Sequence, residues 1–184
     1  MAIVVDVANV MGSRPDGWWR DRAGAAVRLH TQIVRLAASG RVILPDDPRT
    51  SADTSTPGVA AGPAGARSPD DARTSQEAER PGFVMVLEGA ANAAVARMAL
   101  AEPAAVAGNT GSVSNTGSAL GPVRSGEVRV VQARGSGDDA IVAVVRELPG
   151  RRVVVTADRE LRARCVAAGA EILGPGWLLS LLRD

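Results

Sequence analysis

The sequence predicts an α/β fold, a mostly parallel sheet with helices on both faces, in one domain spanning residues 1–184. Three observations carry this. Short unbroken apolar runs such as Ile3-Val4-Val5 and Val153-Val154-Val155 have the pattern of parallel strands buried on both faces. Between such runs stand segments whose apolar residues recur at helical spacing. The alternation of the two is that of βα units, in which right-handed crossovers keep the strands parallel. A chain of 184 residues fits one domain with one core.

The elements follow in order. Ile3 to Val5, ending at Asp6, is the first strand. After a Gly/Pro/Asp turn, Ala26, Leu29, Ile33 and Leu36 mark a crossover helix that Gly40 caps. From about 45 to 81 the chain is rich in Pro, Gly, Ser, Thr, Asp and Ala. It has too few large apolar residues to offset its ordering entropy, so a disordered insertion is expected. Phe83 to Leu87 resumes a strand and ends at Glu88, and Ala90 to Leu100 is a short alanine-rich helix. A second low-complexity insertion, about 101–126, contains Asn-Thr-Gly-Ser twice. Val128 to Val131 is a strand, and Ile141, Val144, Val145 and Leu148 form the apolar face of a helix opening at Gly137-Asp138-Asp139. Val153 to Val155 is the next strand, followed by a helix carrying Leu161, Cys165 and Val166. Ala170 to Leu173 is the last strand, and Pro175 opens a final helix bearing Trp177, Leu178, Leu181 and Leu182.

Composition narrows the class. A formal charge of +1 gives no global basic field, so an anion site has to be local. All 21 basic residues are arginine, which suits bidentate phosphate contacts but is better explained, with the abundant Ala, Gly and Val, by GC-rich coding. A single cysteine excludes an internal disulfide. The first residues read as a strand with no basic leader, and no apolar run reaches the roughly 18 residues of a membrane span, so a soluble, cytoplasmic protein is expected.

In an open parallel sheet, ligands bind beyond the carboxyl ends of the strands. Asp6, Asp138 or Asp139, and Asp158 each follow a strand and should meet there, with Glu88 as a weaker fourth. Clustered carboxylates repel one another unless a cation joins them, which points to Mg²⁺ or Mn²⁺, while one His and one Cys disfavour zinc. Capping is the alternative use of each acid, strongest for Asp138 in Ser-Gly-Asp-Asp. Asn9 can hold Asp6 or a phosphate oxygen from the first βα loop, and Ser136 and the adjoining backbone N–H groups can face a phosphate. Trp18 and Trp19 stand beside Arg14, Arg20 and Arg22, a grouping that can stack single-stranded bases. Core packing is favoured for at least one of the two rings.

Three stretches, Val4-Val5-Asp6-Val7-Ala8-Asn9, Gly135 to Ile141 and Val153 to Arg159, together resemble the NYN branch of the PIN-like nuclease superfamily. The likeness covers the first forty or so residues and the last sixty. The chain has Val7 where that family often has glycine. The resemblance implies a Rossmann-like sheet and a metal-dependent (endo)ribonuclease. In it Asp6, Asp158 and Asp138 or Asp139 would hold Mg²⁺ or Mn²⁺, with Asn9 and Ser136 as supporting residues; Arg14 and Arg159 are further candidates for contacting an RNA substrate. Competing readings are a nucleotide or small-molecule phosphohydrolase on the same acids and a non-catalytic RNA-binding module. An aspartyl-phosphate enzyme is disfavoured by Ala8, and a P-loop by the absence of lysine. The only histidine, His30, lies in the first crossover helix, away from the acids, which leaves no Ser/His/Asp set.

Overall fold

A computed structural model describes residues 1–45, 80–101, 113–115 and 122–183. The expected insertion from about 45 to 81 falls almost wholly outside the described residues, as does most of the second. Within the second, however, Val113–Asn115 forms a short strand.

The strands are β1 (Ala2–Asp6), β2 (Gly82–Leu87), β3 (Val113–Asn115), β4 (Val128–Gln132), β5 (Arg152–Val155) and β6 (Glu171–Leu173). Five of them make an all-parallel sheet in the order β4-β2-β1-β5-β6, and β3 extends it beyond β4. Strand β1 is central: Val5 stands beside Met85 on one side and Val155 on the other. The chain winds outward from β1 through β2 to β4, then returns to the other flank at β5. That reversal opens a crevice at the carboxyl ends of β1 and β5, the usual place for a ligand in such sheets.

Alternation of side chains divides the core between the two sheet faces. Ile3, Val5, Phe83, Met85, Val153 and Val155 face one layer of helices: α1 (Val7–Gly12), α2 (Arg22–Ser39), α3 (Ala94–Ala101) and α6 (Pro175–Leu181). Ala2, Val4, Val84, Val86, Val131 and Val154 face the other, α4 (Gly137–Glu147) and α5 (Arg159–Ala167). Because both faces are covered, the central strands β1 and β2 are apolar up to the acid that follows or ends them. Side chains such as Ile3, Leu29 and Phe83 are fully buried, each stabilising the fold by roughly 1.5–3 kcal/mol relative to an exposed position.

Local signals set the helix ends. Gly40 takes a left-handed conformation (φ 66°) after α2, as a C-terminal cap requires, and Pro175 occupies the first turn of α6. Ser136 and Asp158 cap α4 and α5. One element departs from expectation. Residues 7–12, read as part of a loop, form α1 directly after β1, with Val7, Val10 and Met11 buried. Val7 is fully buried against the core, so the side chain at the glycine position serves packing. The alanine-rich segment after β2 begins as a 3₁₀ turn, Gly89–Ala93, before continuing as α3.

Candidate functional site: an acidic pocket at the strand ends

Asp6 ends β1 and caps α1, so one side chain performs two tasks. Its Oδ1 accepts from the Asn9 backbone N–H at 3.0 Å, and its Oδ2 accepts from the Thr156 hydroxyl at 2.8 Å. Thr156, fully buried after β5, in turn accepts from the Asp158 N–H at 3.1 Å. The Asn9 side-chain oxygen accepts from the Ala157 N–H at 2.9 Å. The two βα turns flanking the switch point are therefore stitched into one hydrogen-bonded unit, and a buried carboxylate acquires the partners it needs.

On the other flank, Glu88 extends from the end of β2, and its Oε2 accepts from the Gly137 N–H at 2.9 Å. This bond sets the mouth of β2 against the start of α4. It depends on glycine: a Cβ on Gly137 would lie 2.2 Å from that Glu88 oxygen. Asp158 caps α5 through the Leu161 N–H, at 2.8 Å.

Asp6, Glu88, Asp138 and Asp158 line one open pocket of about 470 Å³, with Ala8, Asn9, Gly12, Ser13 and Trp18 completing its wall. Its electrostatics are those of crowded acids. Burial raises the Asp6 pKa above the usual carboxylate value. Its two hydrogen bonds oppose the rise, and the charges of Asp138 and Glu88 add to it. Burial likewise raises the Asp138 pKa, and Asp158 raises it further, with Arg164 opposing. Among the described residues no three His, Cys, Asp or Glu side chains are arranged as a ready group for a metal ion. The donor set nevertheless suits a hard cation, since all four groups are oxygen ligands and the charged forms of Asp6 and Asp138 are disfavoured, first by burial and then by neighbouring carboxylates. Three carboxylates within a few ångströms of one point, the arrangement expected of a metal-dependent enzyme, are thus not formed among the described residues, although Mg²⁺ can also be held by one or two carboxylates with several waters retained.

Of the residues singled out in the sequence, the pocket brings together Asp6, Asn9, Trp18, Glu88, Asp138 and Asp158. It does not bring in the others. Asp139, one residue beyond Asp138, turns about α4 toward Arg164 of α5 and pairs with its guanidinium, so Asp138 and not Asp139 lines the pocket. Ser136 caps α4, its Oγ accepting from the Asp139 N–H at 3.4 Å, and Arg159 is exposed at the start of α5; neither lines the pocket. Arg14 lies in a neighbouring cleft. Trp18 packs against the core beneath the Arg22 guanidinium, which sits 5.4 Å from its ring, while Trp19 is 57% exposed and meets Trp18 edge-on. Thr156 was not singled out. Its signal is a hydroxyl immediately after the fully apolar β5, where a buried polar side chain needs a partner.

Comparison with known protein families, characterised proteins and solved structures finds no match to this chain.

Proposed function

We propose that this protein is a metal-dependent ribonuclease of the PIN-like type, with a Rossmann-like sheet presenting Asp6, Asp138 and Asp158 to Mg²⁺ or Mn²⁺. One observation carries the reading: four carboxylates from four separate strand ends line a single pocket at the topological switch point. Asp6 and Asp158 cap helices and Glu88 holds the start of α4, but Asp138 has no such partner among the described residues, and the raised proton affinities of Asp6 and Asp138 favour a functional reading of the cluster. When bound, a divalent ion polarises the scissile phosphate and lowers the pKa of an attacking water.

The chain's own groups supply orientation. Asn9 and Thr156 fix both oxygens of Asp6, leaving their remaining lone pairs directed by the β1 and β5 turns. Asp158 uses Oδ1 as a cap, which leaves Oδ2 for the pocket. Glu88, held by Gly137, adds a fourth acid at the rim and is positioned to accept a proton from a pocket water. The pocket is open, so an extended strand can cross it.

The test is cleavage of a labelled single-stranded RNA with Mn²⁺, with Mg²⁺ and with chelator, in wild type, Asp6→Asn and Asp158→Asn. Metal-dependent cutting abolished by both substitutions is expected. Turnover of mononucleotides without RNA cleavage would instead make the protein a phosphohydrolase, and metal-independent RNA binding without cutting would make it a binding module.

A further inference from the structure

Beside the acidic pocket lies a second cleft of about 260 Å³, lined by Ser13, Arg14, Pro15, Asp16, Gln32, Leu179, Leu182 and Arg183. Ser13 borders both cavities, so the two are consecutive along one surface. The cleft is built from three elements: the turn after α1, the face of α2 and the end of α6.

Its charge is of the opposite kind. Arg14 is half-buried, and its guanidinium donates to Gln32 Oε1 at 3.0 Å, a neutral acceptor. Asp16 is the carboxylate in the lining, and its Oδ1 is engaged by the Trp18 N–H. Among the described residues, Arg14 has no carboxylate within ion-pair distance. Burial lowers the Arg14 pKa, and the neighbouring charges of Arg28 and Arg183 act in the same sense, against Asp16. Placing guanidiniums together at a partly apolar wall has an electrostatic cost that an anion would remove. The planar fork of arginine matches phosphate oxygens bidentately.

We infer that this cleft is a phosphate-binding subsite, in which Arg14 and Arg183 hold a backbone phosphate of the same RNA strand, next along the chain from the phosphodiester in the acidic pocket. This rests on the ribonuclease reading for the identity of the strand. Gln32 positions Arg14, and Ser13 marks the passage between the two sites. The division of labour is physical: the acids repel a polyanion and need a cation, whereas the arginine cleft attracts it directly and aligns it across the acids.

The experiment measures binding of a fluorescein-labelled single-stranded RNA oligonucleotide by anisotropy in chelator over a range of salt, with cleavage in Mn²⁺ assayed separately. The proteins are wild type, Arg183→Gln, Arg14→Gln/Arg183→Gln and, as a charge control at the far end of α4, Arg146→Gln. In the double variant affinity is expected to fall about tenfold, as for loss of charged hydrogen bonds, and the slope of log affinity against log salt by about 0.7 for one phosphate. Arg183 is exposed and Arg183→Gln is expected to keep the fold, so a partial loss in that variant is informative even if Arg14→Gln fails to fold. Loss of binding in the arginine variants with no cleavage by wild type would retain the subsite and reject the ribonuclease. Normal cleavage with unchanged affinity and slope in the double variant would reject the subsite alone. An equal loss in Arg146→Gln, or no RNA binding by wild type, would also overturn it.

Discussion

The Thr156 hydroxyl donates to Asp6 Oδ2 at 2.8 Å across the β1–β5 boundary, joining residues 150 positions apart in sequence. Both are buried, the two buried polar side chains among the described residues, and Asp6 lines the acidic pocket. Thr156→Val removes the donor to Asp6 and the acceptor for the Asp158 N–H while conserving shape. The expected loss is about 1–3 kcal/mol in urea unfolding, with Thr156→Ser much closer to wild type. Equal stability of the two variants would show that the hydroxyl contributes nothing.

Asp6 also makes stability depend on pH. Its folded pKa lies above its unfolded value, chiefly through burial, and that of Asp138 is raised in the same way. The folded state therefore binds these protons more tightly than the unfolded chain. The associated stability is complete below the ordinary carboxylate pKa of 3.8 and is lost as pH rises through the elevated values. Asn at position 6 can keep an acceptor for the Asn9 N–H without the charge. In chelator, Asp6→Asn is expected to gain on the wild type in melting temperature as pH rises from acid to neutral, because it lacks the charge, although its amide nitrogen faces the Thr156 hydroxyl donor. A variant less stable by the same margin at every pH would contradict this.

Glu88 and Gly137 should act as one unit. Gly137→Ala gains helix propensity of about 1 kcal/mol but places a Cβ 2.2 Å from Glu88 Oε2, so the carboxylate has to leave its N–H partner. Under the ribonuclease reading, Gly137→Ala and Glu88→Ala each reduce cleavage, and the double variant is no worse than the more impaired single one. Simple multiplication of the two defects would indicate independent roles.

The adjacent tryptophans should separate cleanly. Trp18 packs on the core under Arg22, and Trp18→Ala is expected to cost about 2 kcal/mol. Trp19 is largely exposed, and Trp19→Ala should stay within about 0.5 kcal/mol of wild type in the same unfolding assay. This agrees with assigning core packing to one ring of the pair. A weakened affinity of Trp19→Ala for single-stranded RNA, at unchanged stability, would assign the other ring to base stacking.

Much of the architecture was legible along the chain because burial on both faces leaves an unbroken apolar run. Ile3 to Val5, Phe83 to Leu87 and Val153 to Val155 are such runs, and each is a strand of the parallel sheet. Helix α1 was not legible, since Val7 to Gly12 is too short for a period to emerge and carries Asn and Gly, which favour turns. Strand β3 was hidden for a related reason, being three residues inside a low-complexity stretch.

What the sequence by itself determined, then, is the alternation of strands and helices and the placing of acids after β1, β2, β4 and β5, because these are read from local pattern. Only the tertiary structure decided which acids share a pocket. Asp138 and Asp139 are adjacent in sequence, yet the roughly 100° turn per residue of a helix sends one into the pocket and the other to Arg164. Arg14, four residues from Trp18 in sequence, faces Gln32 and the end of α6 because the packing of α1 and α2 directs it there. Glu88 joins the acids through the backbone of a residue 49 positions away, a relationship that exists only once β2 and β4 are paired.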